Sequence, residues 1–93
     1  MATRISLLYF SSRSSGPARR MEGFLDQVLQ ERRNHETFAR RAIDVDSEPG
    51  LAKRFGVKVV PTIVVVDDGR EAARIEGRRG VGELRDALSP WLN

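Results

Sequence analysis

The chain contains no cysteine, which excludes disulfide staples, cysteine-based zinc sites and thiol catalysis together. It has a single histidine, His35, which standing alone reads as a surface residue and supports no metal claim. Long hydrophobic runs are missing too. Nothing approaches the roughly 18 apolar residues that a membrane span needs. The N-terminal run Ile5 to Phe10 is too short for a signal-peptide core and leads into Ser11-Ser12-Arg13-Ser14-Ser15 instead of a small-residue cleavage site. No membrane attachment is expected, and a cytoplasmic location is the default.

What is present is the composition of one ordinary globular domain over residues 1–93, with 40% hydrophobic and 31% charged residues. A core of this size is modest but folds unaided. The net charge of +3 rests on fourteen arginines and two lysines, several arginines being adjacent pairs such as Arg19-Arg20, Arg40-Arg41 and Arg78-Arg79. The thirteen acidic residues lie among them, so solvated arginine on helix faces explains the bias more simply than a nucleic-acid partner does.

Hydrophobic periodicity orders the elements. Arg4 to Phe10 is mostly continuous apolar sequence, the pattern of a strand covered on both faces. After a serine-rich loop, Ser15 stands at a helix cap and Pro17 in a first turn that tolerates proline. Ala18, Met21, Phe24, Leu25, Val28 and Leu29 recur at three- and four-residue steps, one face of a helix running to about Arg33. Thr37 to Val45 reads as a second strand, with Ile43 and Val45 on one face and Phe38 on the other. Ser47 is expected to cap a short helix with Glu48 and Pro49 at its start, ending near Phe55-Gly56. Ile63 to Val66 is the clearest buried strand, entered through Pro61. Asp67-Asp68-Gly69 turns it back along Glu71 to Glu76, and Val81, Leu84, Leu88 and Trp91 mark a final helix. The order β-α-β-α-β-β-α implies an α/β fold: a four-stranded mixed sheet flanked by helices, its first two strands parallel and its last pair antiparallel.

At this point the chain resembles the thioredoxin family over nearly its whole length. The most specific stretch is Pro49-Gly50-Leu51-Ala52-Lys53-Arg54-Phe55-Gly56-Val57-Lys58-Val59-Val60-Pro61-Thr62, which looks like the family's run from its second core helix to its cis-proline. Asp67-Asp68-Gly69-Arg70 resembles the hairpin beyond, and Gly77 the glycine after the last strand. Phe10 to Arg19 aligns without a gap onto the active-site region that contains Cys-Gly-Pro-Cys. The resemblance puts Ser15 in the attacking cysteine's place and Ala18 in the resolving cysteine's. It also puts Ser14 where the family has tryptophan, Tyr9 where it has a buried aspartate, and Gly23 where a proline kinks the helix. The family's N-terminal strand and helix have no counterpart here, which leaves a minimal core.

Disulfide exchange needs a thiolate, and a serine oxygen cannot replace sulfur in it. A hydrolytic Ser15 would need a base within hydrogen-bond reach. His35 lies beyond the far end of a helix about 25 Å long, so it cannot serve. Asp44, Asp46 and Glu48 are the densest carboxylates and read as a solvated strand end and helix start, so no metal or other cofactor is implied. What the resemblance leaves is a groove in which the residue before the cis-proline offers its backbone to an extended partner segment. Its members here are Val60, Pro61, Thr62 and Gly77, with Ser14, Ser15, Gly16 and Pro17 opposite. Arg13, Arg19 and Arg78 are candidates for adding positive charge beside the helix start.

Three functions follow. The favoured one is a redox-inactive module holding a peptide or protein partner. The second is a thiol–disulfide oxidoreductase whose cysteine at position 15, position 18 or both was replaced. The weakest is arginine-mediated binding of nucleic acid or an anionic surface, since no groove-reading helix or RNA-stacking strand accompanies the arginines. Tyr9 and Ser14 favour natural divergence, because disabling an enzyme requires neither change.

Overall fold

In a computed structural model of the protein, the two most apolar segments become the two central strands. The structure describes residues 5–14, 16–31 and 38–92, without the side chains of Pro17 and Ala18. The elements are β1 (Ile5–Ser11), α1 (Gly16–Gln30), β2 (Ala39–Asp44), α2 (Pro49–Arg54), β3 (Thr62–Asp67), β4 (Arg70–Glu76) and α3 (Val81–Leu88), with a 3₁₀ turn over Ser89–Trp91. The sheet order is β2-β1-β3-β4. β1 runs parallel to β2 with Phe10 opposite Ile43, and antiparallel to β3 with Tyr9 opposite Ile63. β4 returns antiparallel to β3, with a bulge where Val65 and Val66 face Ala73 and Glu71. Thr37, the expected start of the second strand, and His35 lie outside the described residues.

Because side chains alternate across a strand, each central strand feeds two cores. Leu7 and Tyr9 of β1, and Ile63 and Val65 of β3, pack with Met21, Leu25 and Val28 of α1 and with Leu84 and Leu88 of α3. On the other face Phe10, Ile43 and Val64 pack with Leu51 and Phe55 of the α2 region. The rings of Phe10 and Phe55 lie 5.8 Å apart and tilted by 55°, a favourable edge-on arrangement. Thus α1 and α3 cover one face and α2 the other.

The ends of α2 differ from expectation at one point. Ser47 is not its cap. Glu48 occupies the cap position without a side-chain bond, while the Ser47 hydroxyl donates to Asp44 Oδ2 at 3.1 Å within the preceding turn. Serine in a turn after aspartate finds a local acceptor as readily as it caps a helix. The far end of α2 is held from the sheet. Arg74 on β4 donates to the carbonyls of Phe55 and Gly56, and Glu71 Oε1 fixes the same guanidinium at 2.7 Å. A cation at the carbonyl end of a helix complements its dipole and satisfies orphan acceptors. Between β3 and β4, Asp68 and Gly69 both take positive φ (53° and 82°), as a two-residue turn matched to strand twist requires.

Candidate functional site

Strand register gathers the predicted groove. Phe10, near the end of β1, pairs with Thr62 at the start of β3, and Thr62 pairs with Glu76 at the end of β4. The loop that opens α1, the loop that enters β3 and the loop that leaves β4 therefore meet at one end of the sheet. Gly77 donates its N–H to the carbonyl of Pro61 at 2.8 Å, which locks the last two together. The Val60–Pro61 peptide bond is cis. Pro61 and Thr62 are buried, and the Thr62 hydroxyl donates to the carbonyl of Val59 at 2.7 Å. Val60 precedes the first ladder pair, so its backbone N–H and C=O take no part in the sheet. Beside it Val59 is 46% exposed, the one large hydrophobic side chain among the described residues that stands out in solvent.

The opposite wall is braced by a buried hydroxyl. Ser12 donates to Asp46 Oδ2 at 2.6 Å and lies 3.0 Å from the Ser14 hydroxyl. With its proton committed to the carboxylate, the Ser12 oxygen accepts from Ser14. Asp46 comes from the loop after β2. It reaches Ser12 because the C-terminal ends of neighbouring parallel strands lie side by side. Gly16 is exposed at the first turn of α1. Ser15 and the side chains of Pro17 and Ala18 lie outside the described residues.

The three arginines named from sequence do not share a location. Arg13 pairs with Asp44 at 3.5 Å, and Arg19 donates to the Arg13 carbonyl at 3.0 Å. Both line a polar cavity of about 250 Å³ with Ser11, Ser12 and Glu22. Arg78 lines a separate cavity of about 330 Å³ with Arg20 and Phe24. The three carboxylates of the acidic cluster share one turn but take separate side-chain partners: Asp44 takes Arg13 and Ser47, Asp46 takes Ser12, and Glu48 takes Arg41.

Tyr9 fills the space beneath α1 and is fully buried. Burial, followed by the carboxylate of Glu22, pushes its phenol up to about 12. At neutral pH such a group neither holds charge nor accepts a proton.

A sequence profile of the Thioredoxin family matches residues 1–90. The chain belongs to the thioredoxin family. Among its relatives, a thioredoxin of Mycolicibacterium smegmatis is 33% identical over 77 residues, covering 83% of this chain and 69% of that protein. A thioredoxin of Mycobacterium tuberculosis is 35% identical over 81 residues, 84% of this chain and 68% of that protein. A solved structure of a mutant thioredoxin from Halobacterium salinarum superimposes with a TM-score of 0.83 at 25% identity, over 98% of this chain and 77% of that one. The four-stranded mixed sheet with its flanking helices is thus a thioredoxin fold. This member of the family has no cysteine at any position.

Several residues that shape the site carry no mark in the sequence. Asp46 and Ser12 are separated by a whole strand and helix, although parallel pairing of β1 and β2 is a signal that their following loops meet. Arg20 and Arg79 read as surface charge on helix and loop. Val59 sits in Val57-Lys58-Val59-Val60, which the sequence marks only as the approach to Pro61.

Proposed function

We propose that the protein is a non-catalytic member of the thioredoxin family that holds an extended peptide segment of a protein partner along Val60-Pro61-Thr62. The observation that carries this reading is the Val60 backbone, left out of the ladder at the groove's lip with the exposed Val59 side chain beside it. An extended peptide would pair with that backbone and lay an apolar side chain against Val59, the mode of strand addition. Gly77 and Thr62 hold the lip rigid from behind, which lowers the ordering cost of binding. With no cysteine in the chain, capture cannot proceed to a mixed disulfide. Tyr9 points the same way, because a phenol in this environment cannot relay the proton that thiol chemistry requires.

The test is selection of groove ligands from a phage-displayed random peptide library, with their affinities compared on the wild type and on Val59→Asp. Val59 is exposed, so this variant keeps the fold. Selected peptides should bind Val59→Asp about tenfold more weakly, the effect of placing a charge against an apolar contact. Equal affinity on both proteins would place the binding surface elsewhere.

A further inference from the structure

The cavity on the α3 side of the groove is positively charged in a way the other arginines of the site are not. Arg13, Arg19 and Arg79 each have an oxygen partner: Asp44, the Arg13 carbonyl and Glu83 respectively. Arg20 and Arg78 have none among the described residues, both are exposed, and both line the same cavity of about 330 Å³. Phe24, Gly80 and the Arg79–Glu83 pair complete its lining. Gly80 is the cap residue of α3, whose first turn has no side-chain cap, so its unpaired N–H groups add partial positive charge. The cavity also adjoins the groove in sequence and space. Gly77, which bonds Pro61, is followed directly by Arg78.

We propose that this cavity receives one or more carboxylate side chains of the partner peptide, so that the preferred ligand is an extended segment with an acidic flank on the α3 side. The inference rests on the peptide-groove reading above. Two unpaired guanidinium forks match carboxylate oxygens in geometry and sign, and the Phe24 ring offers an apolar floor for the methylenes of Asp or Glu. The Glu83 carboxylate, 3.6 Å from Arg79 Nε, offsets that third guanidinium and leaves Arg20 and Arg78 as the cavity's free cations among the described residues, two forks that successive carboxylates of one segment can occupy.

Hexaglutamate is the direct probe. Titrated into ¹⁵N-labelled protein at low salt, it should shift the amides of Arg20, Phe24 and Arg78 to Glu83. The Arg20→Glu/Arg78→Glu variant, altered at two exposed positions, should bind it about tenfold more weakly or not at all, as like charges replace unlike ones. Absent shifts, shifts elsewhere, or equal binding by the variant would overturn the proposal. Inorganic phosphate binding there more tightly than hexaglutamate would also overturn it. The groove itself is judged separately by library-selected peptides. Selected peptides without acidic residues, bound equally by the double variant and weakened by Val59→Asp, would leave the groove standing and remove the acidic pocket. Hexaglutamate binding with no selected peptide would remove the groove instead.

Discussion

The amide of Gly77 donates to the carbonyl of Pro61 at 2.8 Å, and this one bond fixes the loop after β4 against the loop that enters β3. Gly77 makes it with a φ of +82°, a conformation that costs other residues about 1 kcal/mol or more. A Cβ there meets Arg79 Nη1 only at 3.7 Å, an ordinary contact, so the cost is conformational. Gly77→Ala should lower stability by about 1 kcal/mol in urea titration and loosen the groove. Gly23→Ala makes the opposite case. It lies inside α1 with open space around it, and alanine there should raise stability by up to about 1 kcal/mol.

Tyr9 predicts an alkaline limit. Its folded-state pKa of about 12 lies above the ordinary value of 10.0, so the folded protein holds the phenolic proton more tightly than the unfolded chain does. The resulting stabilisation is fully present below about pH 10 and is lost as pH rises through about 12, amounting to about 2 to 3 kcal/mol. Stability curves from pH 8 to 12 should fall more steeply for the wild type than for Tyr9→Phe, which has no proton to lose.

Arg74 holds the end of α2 through the carbonyls of Phe55 and Gly56. Arg74→Ala should therefore cost about 1 to 2 kcal/mol, the range for losing charge-assisted bonds to a helix end. Glu71→Ala should cost less than about 1 kcal/mol, because its ion pair with Arg74 is exposed. Chemical denaturation of both variants checks the ranking.

The Ser12–Asp46 bond should act locally. Asp46→Ala removes the acceptor of a buried hydroxyl, a loss of about 1 to 2 kcal/mol. It should also speed amide exchange at Ser14, whose N–H points to Ser12 Oγ at 3.4 Å. Unchanged exchange there would mean that the loop is braced by other contacts.

The fold was legible where one physical rule dominated. The continuous apolar runs at Leu7 to Phe10 and Ile63 to Val66 announced strands covered on both faces, and Asp68-Gly69 announced its turn through the positive φ it needed. The helix of Met21, Leu25 and Val28 followed from period alone. The cap of α2 differs from the sequence reading because the Ser47 hydroxyl can either accept from a helix N–H or donate to Asp44, and its bond to Asp44 depends on how the chain turns after β2. The groove was legible only through the family resemblance of Val60-Pro61-Thr62 and Gly77. Its charge was not. Whether an arginine is free or paired depends on which loops meet, so Arg19, bonded to a carbonyl, and Arg20, unpaired among the described residues, look alike in sequence.

The most direct test of the central claim is to map a library-selected peptide onto the ¹⁵N-labelled protein. The account predicts amide shifts concentrated at Ser14, Gly16, Val59, Val60, Thr62 and Gly77, with no covalent adduct under oxidising conditions. Shifts confined to another surface, such as the exposed edge of β4, would contradict it.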